Sequence, residues 1–197
     1  MKEFLDKYFD IYKQLAFNES VYSSIEQFKS LAIKTRSQKN KMMFAGNGAS
    51  AAISAHGALD FTKQANVRGV TFNEAGIITC FANDYGYDNW ISEAIKNYAD
   101  EGDVVVLTSV SGLSQSVINA ALTAKNMGLE VVTFTGRSKD NALRQYADID
   151  FWVDSHAYNI VECIHMIWLT TVIDAVIGKP EYETSCLTKP RNIGVDS

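Results

Sequence analysis

Cysteine is scarce in this sequence: Cys80, Cys163 and Cys186 are an odd number, with no CxxC spacing among them. That spacing suggests neither a zinc ribbon nor a disulfide framework. Clustered positive charge is missing as well. Lys and Arg number 18 against 23 Asp and Glu, a net charge of −5, whereas a general nucleic-acid binder needs clustered cations to meet phosphates. An anionic small molecule stays open, because backbone amides and hydroxyls hold phosphate without lysine. No apolar run reaches the roughly 18 residues of a membrane span. The first ten residues mix charge with aromatics instead of forming the apolar segment of a signal peptide, so the cytoplasm is the expected setting. Neither GxGxxG nor GxxxxGKS/T occurs, so no nucleotide cofactor is expected. Repeats and low-complexity segments are absent too.

What is present alternates between strand-like and helix-like patterns. Residues 42–45, 69–72, 103–108, 130–135 and 149–153 are short apolar runs suited to buried strands. The run 103–108 is the clearest, apolar and β-branched as in a parallel sheet covered on both faces. Between these runs lie helical patterns, and the last, 159–177, is stopped by Gly178, Lys179 and Pro180. Five such alternations predict an α/β fold: a five-stranded parallel sheet between helix layers, a flavodoxin-like three-layer sandwich with right-handed crossovers. Ahead of it, residues 1–36 read as a helical hairpin broken at Asn18-Glu19-Ser20. Its apolar stripe packs either on the protein's own core or on a partner subunit. The core spans 37–178, and 179–197 is a polar tail.

Two strand–turn–helix units carry chemistry. The first is Gly46-Asn47-Gly48-Ala49-Ser50, which opens a helix rich in alanine and slim enough for close backbone approach. Further along that helix His56 and Asp60 are four apart, hence on one face. The second is Ser109-Val110-Ser111-Gly112-Leu113-Ser114. One serine there would be a helix cap; three in six residues, beside the free N–H groups of a helix start, favour an anion site.

These motifs, with Asn83-Asp84-Tyr85-Gly86-Tyr87, Gly102-Asp103 and Thr135-Gly136, resemble in order and spacing the sugar isomerase (SIS) domain. More narrowly the chain is similar to the phosphoheptose isomerases, which convert sedoheptulose 7-phosphate to a heptose 7-phosphate. The resemblance implies a phosphorylated sugar as ligand and a homotetramer whose N-terminal helices form a central bundle, with sites between subunits. It assigns substrate binding to Asn47, Gly48, Ala49, Ser50, Asn83, Asp84, Ser109, Val110, Ser111 and Ser114. Alanine at 49 replaces a glycine of the family's turn, and Val110 costs one hydroxyl of the phosphate loop.

In the resembled enzymes a His and a Glu four apart, with a later Gln and His, hold a metal and supply the acid and base for an enediol shift. The first two correspond to His56 and Asp60, the latter one methylene short. On the last helix the gapless register places the other two at Glu162 and Thr170, and a one-residue slip places them at Val161 and Leu169. The gapless register is preferred. It makes Asp60, Glu162 and His56 the expected catalytic residues, and the same three a set for a divalent metal such as zinc. Threonine cannot do acid–base work near neutral pH, and His165, offset from the vacant position, reads as packing. Two functions are therefore carried: an aldose–ketose isomerase, or a non-catalytic SIS protein that binds a sugar phosphate and serves a partner, as does the relative that associates with the bacterial replication initiator.

Overall fold

Five strands, β1 (Lys41–Gly46), β2 (Arg68–Thr71), β3 (Val104–Ser109), β4 (Glu130–Gly136) and β5 (Ile149–Val153), form one parallel sheet in the order β2-β1-β3-β4-β5. The computed structural model describes residues 1–181. Most of the polar tail expected at 179–197, with Cys186, lies outside the described residues. β3 is buried at all six positions, because it sits at the centre of the sheet with a helix layer on each face. Lys41 and β3 are tied at their starts by Asp103. This buried carboxylate accepts the Lys41 backbone N–H at 2.8 Å and pairs with the Lys41 ammonium at 2.5 Å.

On one face lie α1 (Lys2–Ala16), α2 (Tyr22–Ser37), α3 (Ala49–Lys63) and α7 (Tyr158–Ile177). On the other lie α4 (Ala75–Tyr85), α5 (Trp90–Tyr98) and α6 (Gln115–Asn126). The hairpin break falls where the sequence places it: Asn18 Oδ1 accepts the Ser20 N–H at 2.8 Å and starts a short 3-10 turn, Glu19–Val21. α2 drives Phe28 into an aromatic cluster with Phe61, Phe134 and Phe151. The Trp168 indole donates to the Ala16 carbonyl at 2.8 Å and so pins the end of α1 to α7. The hairpin thus packs on its own core. The outer side of α1 nevertheless leaves Phe4, Leu5, Phe9 and Ile11 exposed.

α7 is long and apolar enough, by length and composition, to cross a membrane, which the count of uninterrupted apolar residues does not reveal. In this fold its apolar side is core: Ile160, Ile164, Trp168, Val172 and Val176 are buried beneath the helix layer.

The same helix buries His165 completely. Its Nε2–H donates to the Thr135 carbonyl at 2.9 Å, its ring lies edge-on to Phe134, and Nδ1 has no partner. Burial pushes its pKa down from 6.5 to about 4, the bond to Thr135 opposing only in part. The folded state therefore holds the ring neutral, and the stability this contributes is complete above pH 6.5 and lost as pH falls through about 4. The expected loss over that window is about 3 kcal/mol. Urea unfolding between pH 7 and 4 should show it in the wild type and a shallower decline in His165→Leu, which has nothing there to protonate.

Candidate active site

In a sheet of this strand order the chain reverses direction between β1 and β3, and the crevice at that switch point is where open α/β sheets bind ligands. The residues that follow those two strands meet there. A cavity of about 200 Å³ is walled by Asn47, Gly48, Ala49 and Ser50 after β1, by Thr108, Ser109, Val110, Ser111 and Ser114 along and after β3, and by Tyr158 and Glu162 from α7. Because every crossover returns the chain to the same end of the sheet, α3, α6 and α7 all begin at this cavity. Each brings the unpaired N–H groups and partial positive charge of a helix start.

Gly48 stands at φ 59° and ψ −129° immediately before α3, a backbone conformation that side chains with a Cβ rarely adopt. It turns β1 into the helix without raising a side chain over the mouth. Asn47 is braced on both sides: its amide donates to the buried Ser116 hydroxyl at 2.9 Å and its oxygen accepts the Tyr87 phenol at 3.0 Å. Ser114 is the N-cap residue of α6, yet its hydroxyl makes no cap bond. It lies 3.3 Å from the Ser109 hydroxyl instead, so the pair faces the cavity. The Ser111 hydroxyl accepts the Leu113 N–H at 3.1 Å and holds the turn. Val110, where the resembled loop has a hydroxyl residue, is buried with the core. Its carbonyl accepts the Gly136 N–H at 2.9 Å, which ties this turn to the end of β4.

Along α3, His56 Nε2 and Asp60 Oδ2 are 2.9 Å apart, with the Asp60 side chain 15% exposed. α3 and α7 run side by side, with Gly57 against Leu169. Val161 and Leu169 are both buried, Val161 beside Gly136, whereas Glu162 lines the cavity and Thr170 is half-buried on the same face of α7. The gapless register is the one that places a carboxylate at the cavity. The Thr170 hydroxyl donates to the Met166 carbonyl of its own helix at 2.9 Å. One turn further, Asp174 faces Asp60, and its carboxyl is raised above its ordinary pKa by burial first and by the Asp60 charge second.

Among the described residues no three His, Cys, Asp or Glu side chains, His56, Asp60 and Glu162 included, come together as a set able to hold a metal ion. Glu162 sits on the second turn of α7 at the cavity, while His56 and Asp60 lie seven and eleven residues beyond Ala49, roughly 10 and 16 Å down α3. Asn83 and Asp84 are exposed on the last turn of α4, bonded to each other at 2.8 Å, and are not part of the cavity wall. It is Tyr87, three residues on, that reaches the site. Thr108, Tyr158, Tyr87 and Ser116 went unnoticed as site residues. Only Tyr87 had a signal, its place in the Asn83–Tyr87 run.

The SIS domain family matches residues 3–136 of the chain. A phosphoheptose isomerase of Akkermansia muciniphila is 32% identical over 163 residues, covering 80% of this chain and 84% of the relative. One of Aliarcobacter butzleri is 28% identical over 182 residues, 89% of this chain and 94% of the relative. Among solved structures, phosphoheptose isomerase from Neisseria gonorrhoeae superposes with a TM-score of 0.78 at 24% identity, covering 89% of this chain and 97% of that one.

Proposed function

The chain belongs to the SIS domain family, and from that premise we propose that it is a phosphoheptose-isomerase-like aldose–ketose isomerase, acting on sedoheptulose 7-phosphate or a closely related sugar phosphate. The observation that carries this reading is one cavity in which Ser109, Ser111 and Ser114 meet three helix starts, opening beside the α3–α7 face that bears Asp60. The phosphate occupies the serine turn, with the N–H groups of α3 and α6 around it and Asn47 on the sugar side. The open chain of the sugar then runs along α3 toward His56 and Asp60.

Asp60 takes the proton from the carbon next to the carbonyl. Electrons of that C–H bond form the enediol double bond, and the same proton returns to the neighbouring carbon. His56, held on Asp60, positions the carboxylate and exchanges protons with the enediol oxygens, and Glu162 orients the hydroxyls nearest the phosphate. The exposed apolar side of α1 supports a homotetramer with this helix at its centre.

Thr170 supports a second reading: its hydroxyl is spent on its own helix, where the resembled enzymes carry a histidine. On that reading the protein binds a sugar phosphate and signals to a partner without turnover. The test is incubation with sedoheptulose 7-phosphate, following the aldose product by NMR. Product formation establishes the isomerase, binding without product establishes the second reading, and neither would overturn both.

A further inference from the structure

Among the described residues the wall of the cavity contains no cation, and it includes the carboxylate of Glu162. A phosphate dianion there meets hydroxyls and helix starts, but no full positive charge. A candidate lies one residue beyond the Gly136 whose N–H bonds the Val110 carbonyl of the serine turn. Arg137 adopts φ 57°, a left-handed conformation uncommon for a residue with a Cβ. Its backbone is held there from both sides: its N–H donates to the Ser155 carbonyl at 2.9 Å, and its carbonyl accepts the Trp152 indole at 3.3 Å. Held this way, its side chain reaches Tyr158, a wall residue of the cavity. The guanidinium carbon lies 5.8 Å from the ring centroid, and Nη1 is 3.5 Å from the phenol oxygen. Among the described residues no carboxylate forms an ion pair with Arg137. A half-buried arginine on a strained backbone, parked on an aromatic ring without an anion, is poised for one.

We propose that Arg137 is the cation of the phosphate site, seated on Tyr158 at the mouth of the cavity and turning its guanidinium onto the substrate phosphate when that group enters the serine turn. This rests on the reading of the cavity as a phosphate site. Arginine suits the role because its planar fork matches two phosphate oxygens. Its charge also offsets Glu162, which would otherwise repel the dianion.

The test is calorimetric titration of inorganic phosphate into the wild type, Arg137→Gln and Arg137→Lys, with melting temperature recorded for each. The expected result is a loss of about tenfold in affinity for Arg137→Gln, with part of it regained in Arg137→Lys. The gap between wild type and Arg137→Gln should narrow as salt is raised. In turnover of sedoheptulose 7-phosphate the same loss should appear in KM with kcat nearly unchanged. Wild-type affinity in a folded Arg137→Gln would overturn the proposal while leaving the phosphate site standing. A wild type that binds no phosphate would overturn the phosphate site and this proposal with it.

Discussion

Asp60→Asn should abolish most turnover while leaving substrate binding within a few-fold of the wild type. The amide is nearly isosteric and still offers an oxygen to His56 at the 2.9 Å position, but it cannot accept the proton that an enediol mechanism must remove. General-base removal of this kind costs about 10²–10⁴-fold in kcat. A loss of fold would not explain the result. Asp60 faces Asp174, whose carboxyl is already pushed up by burial and by the Asp60 charge, so neutralising Asp60 relieves a like-charge contact. The melting temperature is therefore expected to hold or rise slightly. The measurement is kcat and KM for sedoheptulose 7-phosphate beside a thermal melt. An unchanged kcat in Asp60→Asn would place the base elsewhere, and a collapsed melt would remove the variant's value as a catalytic test.

Gly112→Ala should be the most damaging single-methyl addition near the site. Gly112 sits in the serine turn at φ +63°, and a Cβ there would lie 1.9 Å from Asn141 Oδ1 and 2.2 Å from Asn141 Cγ. Asn141 cannot swing away cheaply. It is buried, and its amide donates to the Ser138 carbonyl at 2.9 Å and the Thr135 hydroxyl at 3.2 Å. The Gly112 carbonyl in turn accepts the Leu143 N–H at 3.1 Å. The left-handed backbone costs about 1 kcal/mol and unseating a buried, bonded amide about 1–3 kcal/mol more, so destabilisation of about 3 kcal/mol is expected in urea unfolding. Phosphate binding should fall as well, since Ser111 and Ser114 flank the displaced residue. A double-mutant cycle assigns the cause: Asn141→Gly also removes the Asn141 Cβ that would lie 2.8 Å away, so the clash is gone, and the double variant should be less destabilised than the sum of the singles. Strict additivity would mean the backbone conformation alone is responsible.

The local pattern of the chain was enough to read all five strands, the crossover helices and the two turns that wall the cavity. Burial repeats with a fixed period in helix and strand, so an unbroken apolar run such as 104–107 or a stripe such as Trp90, Ile91, Ala94 and Ile95 announces its element without reference to anything distant. His56 and Asp60 were legible for the same reason, being one helical turn apart. The serine turn was legible because its hydroxyls are neighbours in sequence.

What the sequence left open depends on which strands lie side by side and where helices cross. Tyr87 braces Asn47 from 40 residues away, and Asn141 fills the space that Gly112 vacates from the far side of β4. Asp174 meets Asp60 only because α7 lies along α3. Arg137 looks like any loop arginine until its backbone angle and its seat on Tyr158 are seen. How far His56 and Asp60 lie from Glu162 likewise depends on how α3 packs along α7, with Gly57 against Leu169, and not on the local pattern of either helix.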